Sequence, residues 1–169
     1  MKRAPANHFV AATATETAQQ NAALCWRLHR GRVQVLLITS RDTGRWVLPK
    51  GWPMAGKTAA ESAAIEAWEE AGVTGAVAPG APIGLYRYDK NRSPIDALPC
   101  VVTVHPLRVN GLADKFPERK QRRRKWFDAT KAAQKVAEPD LSRLLEQLRA
   151  SEDGILLAAQ ENTCVENDA

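Results

Sequence analysis

The stretch from Pro49 to Val73 constrains the fold more than any other part of the chain. Pro49, Gly51, Pro53 and Gly56 fall within eight residues and predict a loop. Thr58 followed by Glu61 has the spacing of a capping box, which predicts that a helix starts here. Gly72 stands where a left-handed cap ends a helix. Both ends of the helix are thus set by local chemistry. On a wheel with Glu66 at zero and about 100° per residue, Glu69 falls at about −60° and Glu70 at about +40°. Ala60, Ala64, Ala67 and Ala71 gather between about 100° and 160°, a small-residue stripe that can approach a sheet closely.

The acidic edge of this helix calls for a partner. Like charges four residues apart on a helix cost roughly 0.2–0.5 kcal/mol per pair, and Glu66/Glu70 is such a pair. No Lys or Arg lies between Thr58 and Gly72 to offset the repulsion. One reading is a solvated acidic face. The other is a site for a hard divalent cation, Mg²⁺ or Mn²⁺, which prefers carboxylate, carbonyl and water oxygens. The preceding loop favours the second reading, because it can bring backbone carbonyls to the carboxylates.

The rest of the chain sets the context. Its 169 residues are 44% hydrophobic and 25% charged, which predicts one soluble domain and excludes a disordered or collagen-like chain. The net charge is +5, and five acids with no base follow Ala150, so the remainder carries 24 bases against 14 acids. That balance suggests an anionic partner. Three scattered cysteines and three scattered histidines give neither a disulfide framework nor zinc-ligand spacing. No apolar run follows Met1-Lys2-Arg3, so the expected setting is cytoplasmic, without a membrane span.

Residues 1–20 predict a mobile N-terminal arm, with order starting near Asn21, and residues 151–169 an acidic C-terminal tail. Strands are expected at Ala22–Leu28, Val33–Thr39, Ile83–Tyr88 and Cys100–Val109, with a short one ending at Trp126-Phe127, while Trp46–Leu48 is a brief apolar stretch that runs into the loop. Asp89–Pro99 reads as a loop. Asp128 is expected to cap a helix through Val136, and Glu138–Leu148 to form another with Leu141, Leu144, Leu145 and Leu148 on one face. Strands interleaved with helices predict an α/β (α+β) fold with a mixed sheet flanked by helices.

The segment Gly51–Val73 resembles the Nudix box. Gly51, Glu66, Glu69, Glu70, Gly72 and Val73 match its positions, while Lys57 and Ile65 stand where the family has a glutamate and an arginine. Ile38–Arg41, Arg45–Gly51 and Arg124–Phe127 resemble the branch that hydrolyses diphosphoinositol and diadenosine polyphosphates. The resemblance covers Asn21 to Leu148 and implies a Nudix hydrolase domain over residues 21–150, built as an α/β/α sandwich around a central mixed sheet.

The resemblance also implies an activity: metal-dependent cleavage of a diphosphate linkage in a nucleoside or inositol polyphosphate. Glu66 and Glu70 would be metal ligands with a backbone carbonyl of Lys50 or Gly51, and Glu69 the general base. Thr39, Ser40 and Arg41 match a phosphate-contacting stretch, and Arg122 and Arg124 are further expected phosphate contacts. Gln19, Gln20 and Asn21 occupy positions where inositol-binding members carry bases, which favours a dinucleoside polyphosphate. Trp46, Tyr86 and Tyr88 read as core or groove wall, with base stacking as the alternative. Lys115–Lys125 carries seven bases and one acid and reads as a solvated loop or, less simply, a nucleic-acid-binding strip. A nucleotide-binding module that does not cleave its ligand is the competing functional class.

Overall fold

The computed structural model describes residues 17–78, 80–93 and 95–158. Strand β1 (Ala18–His29) turns through Arg30 and Gly31 into β2 (Arg32–Thr39). Both turn residues have positive φ, 52° and 75°, as a two-residue hairpin of matching twist requires. Two short strands follow, β3 (Trp46–Val47) and β4 (Lys50–Gly51), then helix α1 (Ala59–Ala71). Strands β5 (Val73–Val77), β6 (Gly84–Ser93), β7 (Asp96–Leu112) and β8 (Arg124–Asp128) complete the main sheet. Helices α2 (Ala129–Lys135) and α3 (Pro139–Glu146) precede a hairpin of β9 (Leu148–Ser151) and β10 (Gly154–Leu157).

The eight-stranded sheet is mixed. Its main path runs β3-β2-β1-β7-β5, with β4 on β1, β6 on β7 and β8 on β2. β1 and β7 run parallel and the other pairs antiparallel. The unbroken burial of Gln20 to Trp26 shows that β1 is covered on both faces. Ala22, Leu24 and Trp26 point into a core with Leu141, Leu144 and Leu145 of α3 and Ala132 and Ala133 of α2. Ala23 and Cys25 point the other way, against Ala63, Ala67 and Ala71 of α1. The expected α/β/α layering and mixed sheet are therefore present. Of the expected alanine stripe, Ala67 and Ala71 seat α1 on the sheet with Ala63, while Ala64 is partly buried at the edge and Ala60 lies outside the core.

Several boundaries differ from the sequence-based expectation, each for a physical reason. β1 begins at Ala18 because its N-terminal end pairs with Cys100 and Val101 of β7; residues 1–16 of the expected arm lie outside the described residues. Asp89–Pro99 is a hairpin rather than a loop, with Asp89 opposite Pro99 and Lys90 opposite Leu98. Pro99 is tolerated because the β1 pairing starts only at Cys100, so its missing N–H lies on an open edge. Lys50–Gly51 pairs with Ala22 and Asn21, making a strand inside the expected loop. Asp128 makes no capping bond to α2; its carboxylate instead accepts from Gln34 Nε2 at 3.0 Å and Arg32 Nη1 at 3.3 Å. Leu148 leaves α3 and opens β9, and residues 159–169 of the expected tail are not among those described.

The capping of α1 follows its sequence. Thr58 Oγ1 accepts from the Glu61 N–H at 3.1 Å, and Glu61 Oε2 accepts from the Thr58 N–H at 2.9 Å. Gly72 closes the helix at φ 66°. A Cβ there would lie 2.4 Å from Phe116 Cδ1, so left-handed strain of about 1–2 kcal/mol combines with a steric clash. Gly72→Ala should therefore destabilise the fold by at least ~1–2 kcal/mol, read as a lower urea midpoint with an unchanged slope.

Candidate functional site

One cavity of about 440 Å³ lies between β4, α1, the β6 strand and the loops after β2 and before β8. Lys50, Gly51, Ser40, Arg41, Glu66, Glu69, Glu70 and Arg122 all line it, so most residues singled out from the sequence meet at one place.

Contact between β4 and α1 sets its floor. A Cβ on Gly51 would fall 2.0 Å from Glu66 Oε1, so the strand reaches the helix only because this residue has no side chain. Glu70 is buried and accepts from the Lys50 N–H at 3.3 Å and from Arg122 Nη2 at 3.2 Å. Burial raises its carboxyl above the usual range, opposed by the charges of Arg122 and Lys50. Among the described residues, no basic side chain pairs with Glu66. Burial first, then the Glu70, Glu69 and Glu118 carboxylates and a hydrogen bond with Glu70, push it up to about 7. Burial also lowers the Lys50 ammonium, which sits 5.0 Å over the Tyr88 ring.

This donor set fits a divalent cation. Among the described residues, no three His, Cys, Asp or Glu side chains stand close enough to hold a metal ion by themselves. Glu66 and Glu70 can supply two oxygens and the Lys50–Gly51 backbone a third. Water completing the shell matches the preference of Mg²⁺, which keeps several waters. The same cation would relieve the repulsion that raises Glu66.

Thr39 and Arg124 lie elsewhere. Thr39 is buried beneath the cavity, its Oγ1 accepting from the Arg123 N–H at 2.9 Å and its carbonyl from Arg122 Nη1 at 3.1 Å. Arg124 turns to the end of α1, donating to the Ala71 carbonyl at 2.7 Å while its guanidinium covers Phe116 at 4.9 Å. Tyr86 is buried in the core, and Trp46 packs edge-on against Phe127 with centroids 5.1 Å apart. Lys57 is exposed and does not line the cavity.

Glu118 is the acid that sequence reasoning missed. Its Oε1 is 3.0 Å from Arg41 Nη1 and 3.6 Å from Arg122 Nη2, and its N–H donates to the Glu69 carbonyl at 2.9 Å. The signal was present, since Glu118 is the lone acid within Lys115–Lys125. Arg122, with a side chain 9% exposed, thus joins Glu70 to Glu118. Ile65 replaces the arginine of the box, and an arginine from another segment meets the carboxylate instead.

The sequence profile of the NUDIX domain matches residues 18–148. The chain belongs to the Nudix family. It is similar to the mitochondrial Nudix hydrolase 12 of Arabidopsis thaliana, 31% identical over 136 residues that cover 78% of this chain and 66% of that one. Its fold is similar to that of a Caenorhabditis elegans Ap4A hydrolase (TM-score 0.55, 16% identity, 78% of this chain and 95% of that one). The Nudix domain of Shewanella oneidensis NrtR, solved with ADP-ribose, is a further neighbour (TM-score 0.54, 16% identity, 88% and 89% covered). As a Nudix domain, the chain keeps the three closing glutamates of the box at one cavity and holds Gly51 against Glu66 and the Lys50 N–H against Glu70.

The raised Glu66 links stability to pH. A carboxyl at about 7 when folded and 4.5 in its usual state contributes stability below pH 4.5 that is lost as pH rises through 7. Added Mg²⁺ should therefore raise the melting temperature of the metal-free protein clearly at pH 7.5 and less at pH 5.5. Thermal melts with EDTA or Mg²⁺ test this, and Glu66→Gln should remove most of the difference between the two pH values.

Proposed function

We propose that this Nudix domain is a divalent-metal-dependent hydrolase of phosphoanhydride bonds whose substrate is a dinucleoside polyphosphate. The observation that carries the reading is the convergence on one cavity of Glu66, Glu69 and Glu70, the Lys50–Gly51 backbone, and the cations Arg41, Lys50 and Arg122. Acids for a metal and bases for an anion are what a negatively charged anhydride requires. When bound, a divalent metal would neutralise the diphosphate oxygens and lower the pKa of the attacking water. Glu66 and Glu70 would hold it.

The chain's own groups account for the rest. Glu69 lines the cavity, and no basic partner ties up its carboxylate among the ion pairs of the described residues, so it can accept the proton of the attacking water. Arg41 and Lys50 stand where they can hold the phosphate oxygens. The Arg122–Glu70 ion pair keeps one carboxylate in a fixed orientation, and positioned charge of this kind supplies much of catalysis at such centres.

Two observations bear on the choice of substrate. Gln20 and Asn21 are buried, and Gln20 Oε1 accepts from the Tyr88 hydroxyl at 2.6 Å. Positions 20 and 21 themselves carry no base for the extra phosphates of an inositol polyphosphate. One structural neighbour is an Ap4A hydrolase, which agrees with a dinucleoside substrate. The basic run Lys115–Lys125 gives little support to nucleic-acid binding, because Arg122 and Arg124 turn inward to Glu70 and the end of α1.

Assay against a panel of dinucleoside polyphosphates, nucleotide sugars and diphosphoinositols with Mg²⁺, products identified by mass, tests the reading. No turnover on any of them would defeat it. Glu69→Gln should lower activity by ~10²–10⁴-fold while the fold and metal affinity hold. Loss of metal binding in Glu69→Gln but not in Glu70→Gln would exchange the functions assigned to those two residues.

A further inference from the structure

We infer that Trp52 is the stacking platform for a nucleobase of the substrate, with Lys90 as its cationic flank. This deepens the hydrolase reading and rests on it for the position of the phosphates. Trp52 follows Gly51, the residue pressed against Glu66, so the indole is set one residue from the carboxylate edge. It lines the cavity and is 43% exposed. An indole contributes to a core only when covered, and this one is displayed at the mouth of a polar site. Lys90 Nζ lies 4.9 Å from the ring centroid and also lines the cavity.

The other aromatic side chains of the region are committed elsewhere. Tyr86 is buried, and Trp46 is packed against Phe127. Tyr88 lies under Lys50 and is bonded to Gln20. Trp52 is the most exposed of these at the cavity, with Lys90 over one part of its ring and 43% of the residue open. A flat π-face selects a flat ligand, and bases stack on aromatic side chains whatever their sequence. An inositol ring offers hydroxyls in place of a π-face and would gain nothing here. The ammonium of Lys90 would add positive charge next to a base stacked there, toward the ribose that carries the first phosphate.

AMP and ribose 5-phosphate are suitable probes, because they share sugar and phosphate, differ in the base, and contain no anhydride to cleave. Calorimetric titration of the full chain with each, in Mg²⁺, should show AMP binding more tightly. Trp52→Ala should weaken AMP by roughly 5- to 150-fold and leave ribose 5-phosphate nearly unchanged, and Trp52→Phe should recover most of the loss. Trp68→Ala is the control, since that exposed indole on α1 does not line the cavity. Circular dichroism verifies that each variant folds. Equal affinity of the wild type for the two probes, or equal weakening of both by Trp52→Ala, would overturn the inference. If diphosphates are cleaved but Trp52→Ala leaves the AMP preference intact, the platform fails and the hydrolase stands. If nothing is cleaved yet the AMP preference depends on Trp52, the platform stands and the hydrolase reading fails.

Discussion

A Cβ on Gly51 would sit 2.0 Å from Glu66 Oε1, so β4 lies against α1 only while that position is glycine. From this contact the rest of the cavity follows. It places the Lys50 N–H on Glu70 and the Lys50 ammonium above Tyr88. The same approach keeps water from part of the Glu66 carboxyl, which raises its proton affinity in the absence of a counter-charge. A larger residue would push the strand outward and detach the backbone from the acids. The pairing of β4 with Ala22 and Asn21 holds the strand from the other side.

Charge compensation is divided unevenly between Glu66 and Glu70. Glu70 has a guanidinium and a backbone N–H, whereas Glu66 has carboxylate neighbours. The segment that carries the guanidinium is itself fixed at several points. Ala113 donates to the Gly72 carbonyl, Glu118 to that of Glu69, and Thr39 to that of Arg123. Arg122 therefore reaches Glu70 from a backbone tied to both the helix and β2. With Ile65 in the box, α1 has no base of its own to perform this function.

The features readable in the sequence were those set by neighbouring residues. Helix α1 was readable because Thr58, Glu61 and Gly72 determine its ends within a few residues of chain. The glutamate edge and the Ala67–Ala71 part of the small-residue stripe followed from helical geometry, whereas Ala63, which the stripe omitted, joins them against the sheet. What could not be read depended on distant partners. Glu118 and Arg122 meet Glu69 and Glu70 across about fifty residues, and no local pattern encodes that contact. Asp128 looks like a cap, yet Gln34 and Arg32 of the neighbouring strand take its carboxylate first. Pro99 argues against a strand until the end of β1 at Ala18 shows that its edge is free.

The parallel pairing of β1 with β7 has a consequence for how the molecule comes into being. Ala18 meets Cys100 and Trp26 meets Arg108, so the central ladder joins segments about eighty residues apart in sequence. Between those segments run β2, β3, β4 and α1, with every acid of the box. Closing so long a loop precedes the gain from pairing, which places this chain among folds whose assembly is governed by non-local contacts. The glutamate helix excised as a peptide would keep its caps but lose the Gly51 backbone held by β1 and the guanidinium held by β2. The arrangement of these acids against the backbone and the guanidinium is thus a property of the completed sheet.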